Sequence, residues 1–195
     1  MSSADSGRLD AAERHTLLEL AKQSIEHGLR EGCPIPVDPS DYSGALEKQG
    51  AAFVTLHREG VLRGCIGHLT AVQPLVLDVA DNAFAAAFRD PRFPPLTELE
   101  LADLSIEISV LSPSEPLAFT SEGELLRMIE PGRDGLILED GHARGTFLPT
   151  VWGSLPDPRD FLRHLKQKAG LSPNHWSDRI RISRYRTETF SEQDL

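Results

Sequence analysis

One short segment of the chain concentrates the side chains that could do chemistry. The octapeptide VLRGCIGH, Val61–His68, places a guanidinium, a thiol and an imidazole close together. A thiolate beside a cation is a strong nucleophile, because the positive charge favours the ionised form of the thiol. Cys65 is therefore the candidate nucleophile or redox thiol, with Arg63 as its cation and His57 and His68 as proton carriers. The alternative is a Cys65 buried as a small apolar residue, which is the usual state of a free cysteine.

This segment is predicted to be the second strand of a β-hairpin. Residues 50–57 have the apolar content of a strand, and the connection 58–60 ends in Gly60, which supplies the positive φ that a tight turn needs. We expect a three-residue turn, because a two-residue turn would mix apolar and polar side chains on both faces. The expected cross-strand pairs are His57 with Val61, Thr55 with Arg63 and Phe53 with Cys65. The polar face then carries Phe53, Thr55, His57, Val61, Arg63, Cys65 and Gly67.

Arg63 and the glycines beside it indicate a site for a small anionic ligand. A guanidinium can hold a carboxylate or phosphate through two parallel hydrogen bonds. Gly64 and Gly67 would let a ligand approach the backbone closely. The alternative is a structural ion pair between Arg63 and either Asp90 or Glu107, the latter on the polar face of a later strand.

A stiff loop follows the next predicted helix and presents an acid and a base. Asp90, Arg92 and Phe93 surround Pro91 in the sequence DPRFPP. This loop could form a wall of the ligand site. The alternative is a turn that ends the helix, in which Asp90 pairs with Arg92 or caps backbone amides. The predicted ligand-binding residues are Arg63, Gly64, Gly67, Asp90, Arg92, Phe93 and Glu107.

No motif predicts a metal or a particular cofactor. The seven histidines show no H-x-H or H-x-x-x-H spacing, so no metal site is predicted, and His57, His68 and Glu107 are the residues that would form one. Motifs for nucleotide-binding loops, iron–sulfur clusters and the serine-hydrolase elbow are absent from the sequence, and the cofactor stays open. The two distant cysteines, Cys33 and Cys65, form neither a disulfide framework nor a zinc pattern, which fits a cytoplasmic protein.

Composition and charge exclude several classes of protein. The formal net charge of −10 disfavours nucleic acid and anionic membranes as partners, since both require a basic surface. The one basic run, 179–186, divides its arginines between two strand faces, and we interpret it as a solvent-exposed edge strand. No apolar run approaches the roughly 20 residues of a membrane-spanning helix, and the start of the chain lacks the apolar core of a secretion signal.

The order of predicted elements indicates an α+β fold with a mainly antiparallel sheet flanked by helices. Residues 104–110 alternate as a strand with one polar face, and Asp140–Gly141 marks a second hairpin. Helices are predicted to begin at Asp10, at Pro74, at Ser121 or Glu122, and at Asp157, and 179–190 is predicted to be one last strand. We expect a disordered N-terminus at 1–9, a single domain at 10–190 and a tail at 191–195.

Several segments resemble the AMMECR1 domain family. LRGCIG at 62–67 is similar to that family's most distinctive hexapeptide, and residues 87–95 resemble its A-x-x-D-P-R-F-x-P segment. Further similar segments follow in the family's order, at 106–112, 145–151, 161–162 and 168–171. The resemblance extends from about Leu17 to Phe190, so the chain is identified as a member of this family.

The resemblance implies a larger and a smaller lobe with a cleft between them, but it names no reaction. Family members commonly accompany a Memo-like protein of the dioxygenase family and a radical-SAM protein, which implies a shared pathway and possible partners. Two functions remain open at this stage. One is a Cys65-dependent enzyme acting on a small anionic ligand, and the other is a non-catalytic adaptor that binds a partner protein through the same face.

Overall fold

The computed structural model describes residues 9–194, so the expectation of disorder at residues 1–9 lies outside the described residues except at Leu9, which is buried. The elements in chain order are α1 (Ala11–Glu31), β1 (Gln49–Gly50), β2 (Ala52–Arg58), β3 (Val61–Gly67), β4 (Gln73–Pro74), α2 (Leu75–Phe88), β5 (Leu104–Leu111), β6 (Glu115–Pro116), α3 (Glu122–Met128), β7 (Gly135–Asp140), β8 (Ala143–Phe147), α4 (Pro158–Lys168), β9 (Arg181–Tyr185) and β10 (Thr187–Ser191). Short 3₁₀ turns lie at Pro39–Asp41, Glu98–Asp103, Pro149–Gly153 and Glu192–Asp194. Six strand pairs are antiparallel, namely β1–β4, β2–β3, β2–β5, β6–β9, β7–β8 and β7–β9, which confirms the predicted α+β class with a mainly antiparallel sheet.

The chain divides into two compact units. The first unit is Met1–Leu111 with Glu188–Leu195, and the second unit is Ser112–Thr187. Each unit has its own hydrophobic core and its own four-stranded sheet. The cleft implied by the family resemblance stays a prediction. Among the described residues, no helix is long and apolar enough to cross a membrane.

The first unit packs two helices on one face of the sheet β10–β5–β2–β3. A capping box opens α1, where a helix was predicted to begin: the Asp10 carboxylate accepts from the Glu13 amide at 2.8 Å, and the Asp10 amide donates to Glu13 at 3.0 Å. Alternate residues of β2 are buried against the helices, namely Ala52, Val54 and Leu56. Thr55 therefore belongs to the opposite face.

The first hairpin contradicts the predicted register. Arg58 pairs with Val61, so the turn is the two residues Glu59 and Gly60, with φ of 52° and 77°. A turn with two left-handed residues matches the twist of a hairpin better than the longer turn that we expected. A β-bulge then shifts the register between Leu56 and His57. The bulge restores the alternation that a two-residue turn alone would have disturbed.

The bulge decides which side chains share a face. Beyond it, Thr55 pairs with Cys65 in β3 and with Glu107 in β5. Three side chains therefore lie in one row across three strands, and we call Glu107, Thr55 and Cys65 the thiol row. The prediction that Cys65 shares a face with Thr55 is right, although its predicted pairing with Phe53 is wrong, since Phe53 pairs with Gly67.

The second unit packs α3 and α4 with the sheet β6–β9–β7–β8. Trp152 stacks on Phe161 of α4 with ring centroids 3.8 Å apart. The predicted hairpin forms at Asp140–Ala143, with a positive φ of 62° at Gly141. The predicted last strand is divided into β9 and β10, which belong to different sheets. β9 lies between β6 and β7, so its interpretation as an edge strand was wrong.

Candidate functional site

The Cys65 thiol is half-buried and accepts a hydrogen bond from a hydroxyl group. The Thr55 hydroxyl donates to the Cys65 sulfur at 3.3 Å, and the cysteine is a free thiol. This contact fixes the sulfur beside the Thr55 hydroxyl. Glu107 lies on the other side of Thr55 in the thiol row.

Asp90 and Arg92 form hydrogen bonds with the backbone of Cys65 at the outer edge of β3. The Cys65 amide donates to the Asp90 carboxylate at 2.9 Å, and the Arg92 guanidinium donates to the Cys65 carbonyl at 3.3 Å. Asp90 and Arg92 also bind each other, with contacts of 2.6 and 2.9 Å. β3 is an edge strand, so these two side chains take the place of a neighbouring strand. The structure therefore contains the turn in which Asp90 pairs with Arg92 and caps backbone amides.

The charge next to the thiol comes from Arg92. Its hydrogen bond holds the pKa of the Asp90 carboxyl far below the usual range, against the burial of that group. The pKa of Arg92 is raised, first by the hydrogen bond to Asp90 and then by the negative charge of that carboxylate. The Arg92 side chain is 54% exposed, so an anion from solvent can reach it.

Arg63 has a different position from the one predicted. Its guanidinium binds Glu100 at 2.7 and 3.2 Å and donates to the Pro94 carbonyl at 2.9 Å. Arg58, on the helix-covered face of β2, lies 3.7 Å from the same Glu100 carboxylate. Arg63 therefore belongs to the helix side and does not share a face with Cys65, because the bulge turns it there.

The ion pair of Arg63 is nearly buried, with 10% of the Arg63 side chain and 13% of Glu100 exposed. The Arg63 hydrogen bond lowers the pKa of Glu100 to about 2. An ion pair for Arg63 was one of the predicted alternatives, but the partner is Glu100 rather than Asp90 or Glu107. The Arg63 charge is thus already compensated.

The two glycines of the hexapeptide are explained by packing. A Cβ on Gly64 would lie 2.1 Å from the Ala86 carbonyl oxygen of α2. A Cβ on Gly67 would lie 2.4 Å from the Phe53 ring. Glycine is therefore needed here for the close approach of the protein's own elements.

His68 binds a buried aspartate that the sequence analysis missed. Its Nδ1 lies 2.6 Å from Asp78 of α2, whose side chain is fully buried, while His68 is 49% exposed. Asp78 also accepts from the Ala52 amide at 2.8 Å and from Asn82 at 3.0 Å. Burial raises the pKa of Asp78, and the hydrogen bonds from His68 and Ala52 oppose that shift. An Asp and an Asn four residues apart, and so on one face of a mainly apolar helix, were the available signal.

The remaining predicted residues are spread around the thiol row. His68 follows Cys65 by three residues of extended chain, about 10 Å, and packs toward α2, so the two do not form a pair. His57 is on the face of the thiol row, opposite Leu62. No hydrogen bond joins its imidazole to Cys65 within residues 9–194. Phe93 lies between two guanidiniums, with its ring centroid 5.8 Å from Arg63 and 5.4 Å from Arg92.

Comparisons with known proteins identify the domain. The family model of the AMMECR1 domain matches residues 18–190. This chain belongs to the AMMECR1 family. A protein of Methanothermobacter thermautotrophicus is 40% identical over 188 residues, which cover 94% of this chain and 96% of the relative. A Thermotoga maritima protein is 38% identical over 178 residues, covering 90% and 97%.

A solved structure agrees with the fold. The crystal structure of the uncharacterised protein PH0010 from Pyrococcus horikoshii is similar with a TM-score of 0.82 and 37% identity, over 92% of this chain and 91% of that one. None of these names describes an activity, so the AMMECR1 family defines the domain and leaves its reaction open. In the part of this AMMECR1 chain that the structure describes, no group of three or more His, Cys, Asp or Glu side chains is placed to hold a metal ion.

Proposed function

We propose that this AMMECR1 protein binds a small anionic ligand beside the thiol row and is a Cys65-dependent enzyme. The observation that carries the proposal is the environment of Cys65: a half-buried thiol, hydrogen-bonded by Thr55, with its backbone held by Asp90 and Arg92. Arg92 takes the place of Arg63 as the ligand's cation, because Arg63 is nearly buried against Glu100, whereas Arg92, although paired with Asp90, is 54% exposed.

The chemistry follows from the charges around the sulfur. The thiolate is the reactive form of cysteine, and the site offers it the Thr55 hydroxyl as a hydrogen-bond donor and the Arg92 guanidinium as a cation. The thiolate attacks an electrophilic carbon of the ligand, so that a C–S bond forms and the leaving group departs with the bonding electron pair. His57, on the same face, is the candidate acceptor of the thiol proton. Two hydrogen bonds to the Cys65 backbone limit movement of the nucleophile.

Alkylation by a charged and a neutral reagent tests the proposal. Cys33→Ser leaves Cys65 as the only cysteine, and Cys65→Ser leaves the exposed Cys33 as a reference. We expect iodoacetate to react faster, relative to iodoacetamide, at Cys65 than at Cys33, because Arg92 attracts the anion. The rates are measured at about pH 8, where histidine is ordinarily neutral.

The Arg92→Gln variant tests whether Arg92 causes the preference of Cys65 for iodoacetate. Arg92→Gln in the Cys33→Ser protein should lower the ratio of the two rates, whereas Arg144→Gln, which removes an exposed arginine of the second unit, should not. An iodoacetate preference at Cys65 no greater than at Cys33 would contradict the proposal. So would a Cys65 that neither reagent modifies in the folded protein.

A second candidate function is that of an adaptor. Val61 and Leu62, at the tip of the hairpin that carries Cys65, are 69% and 38% exposed, and exposed apolar residues favour protein binding. We propose the Memo-like and radical-SAM proteins implied by family resemblance as the partners. Pull-down with the purified proteins should show association that Val61→Ser with Leu62→Ser weakens. Absence of association with either protein would exclude this function.

A further inference from the structure

The second unit contains a pocket between α3 and α4 that the function proposed above does not use. Its volume is about 420 Å³, which is within the usual range for sites that bind small molecules. Gly123 and Leu126 of α3 form one side, Arg159 and Arg163 of α4 the other, and Pro173 and Asn174 close one end.

Helical spacing places three cations on one side of α4. Arg159, Arg163 and Lys166 are separated by four and three residues, so they lie in one stripe along the helix. Phe161, Leu162 and Leu165 are buried in the core of the unit. The stripe faces α3, because the Lys166 ammonium binds Glu122 at 3.0 Å.

The only carboxylate that lines this pocket is already neutralised. Glu122 pairs with Lys166, whose side chain is fully buried, and the Lys166 ammonium also lies 5.4 Å from the centre of the Trp176 ring. A fully buried ammonium with a single carboxylate partner keeps that carboxylate occupied. The charge that remains at the pocket is therefore that of Arg159 and Arg163.

These two arginines are poorly compensated within the chain. Among residues 9–194, no carboxylate forms an ion pair with Arg159. Arg163 lies 3.7 Å from Asp160, and both of those side chains are about half exposed. An exposed ion pair of this kind contributes little free energy, so Asp160 compensates the charge of Arg163 only weakly. The second unit as a whole has eleven Lys and Arg against ten Asp and Glu, while the rest of the chain has nine against twenty. The pocket thus lies in the part of the sequence that repels an anion least.

We propose that this pocket binds a small phosphorylated molecule through Arg159 and Arg163. Residues four apart on a helix have their Cβ atoms about 6 Å apart, so both guanidiniums can reach one phosphate. A phosphate monoester has three terminal oxygens and can accept from two guanidiniums, whereas the two oxygens of a carboxylate are satisfied by one. Leu126 and Pro173 offer apolar contact to the body of the ligand, and the Asn174 amide offers a further donor.

Calorimetric titration with inorganic pyrophosphate tests the proposal on the full chain at low salt. We expect saturable binding, weaker binding of phosphate and no binding of acetate. Arg159→Gln with Arg163→Gln should weaken pyrophosphate binding about tenfold or more. The matched control is Arg133→Gln with Arg144→Gln, which removes two exposed arginines of the same unit and should leave the affinity unchanged.

The outcomes distinguish a specific anion-binding site from a general attraction of pyrophosphate to positively charged side chains. Equal losses in both double variants, or titration of pyrophosphate without saturation, would overturn the proposal. All four arginines are exposed, so the variants should remain folded, and thermal unfolding checks this. The result is independent of the alkylation experiment, because the thiol row and this pocket share no residue.

Discussion

Two hairpins of this protein have the same local sequence feature and use it differently. The second strand of each contains Arg followed by Gly: Arg63-Gly64 in β3 and Arg144-Gly145 in β8. Each glycine faces a helix. A Cβ added at Gly64 would meet Ala86 of α2, and a Cβ added at Gly145 would meet Ala169, the C-cap residue of α4.

The strand register explains why one of these arginines is exposed and the other is buried. In the second hairpin the pairing is regular, so Arg144 alternates away from Gly145, remains 54% exposed and lies 3.4 Å from Glu139 across the strands. In the first hairpin the bulge turns Arg63 toward the helix side, where it binds Glu100. One additional residue in a strand therefore converts a surface arginine into a buried one, and it sets Cys65 opposite Thr55.

The largest expected loss of stability is at the glycines of the two hairpins. Gly64→Ala would place a Cβ 2.1 Å from the Ala86 carbonyl oxygen, which cannot move without distorting α2. We expect a loss of about 3 kcal/mol or more in the free energy of unfolding. Gly145→Ala meets the Ala169 amide nitrogen at 2.9 Å and should lose only about 1–2 kcal/mol. Urea denaturation measures both, and equal losses would contradict the comparison.

Substitution of the two arginines should also cause different losses in the free energy of unfolding. Arg63→Ala leaves Glu100 nearly buried with Arg58 3.7 Å away as its remaining cation, and should cost about 3 kcal/mol. Arg144→Ala removes an exposed ion pair and should cost less than about 0.5 kcal/mol. Arg63→Ala combined with Glu100→Ala should cost less than the sum of the single changes. An additive double variant would show that the pair is not the reason for the difference.

The smallest expected difference concerns acid stability. The folded pKa of Glu100 is lowered from 4.5 to about 2, so its contribution is present above pH 4.5 and is lost as the pH falls toward 2. Arg63→Ala removes the main cause of that shift. From about pH 4.5 to about pH 3.5 the variant should lose roughly 1 kcal/mol less than the unmodified protein. Urea denaturation at both pH values measures this, and Arg144→Ala should behave like the unmodified protein.

Local patterns predicted the elements well where one face of an element is buried. Alternating apolar residues located β2, β3 and β5, and turn residues located the two hairpins. The end of β9 was missed because Arg186 continues the alternation while the chain passes from one sheet to the other. A pattern with a period of two does not record which sheet a strand joins.

The candidate site was only partly predictable for a related reason. Cys65 and the Asp90–Arg92 turn could be recognised because each is local in sequence. The partner of Arg63 lies 37 residues away, and the bulge that turns Arg63 toward it leaves no composition signal. Asp78, the partner of His68, is on a helix that the periodicity assigned simply to the core.

Four features follow from the sequence alone, because each depends on short-range order or on alternation along one strand: the family, the α+β class, the hairpins and the face on which the thiol lies. Which charges are compensated could be seen only in the folded molecule. Ion pairs such as Arg63–Glu100, and the hold of Asp90 and Arg92 on Cys65, join segments that are distant in the chain. Which of several acids meets a given arginine depends on register and packing, and these are fixed only when the sheet and its helices assemble.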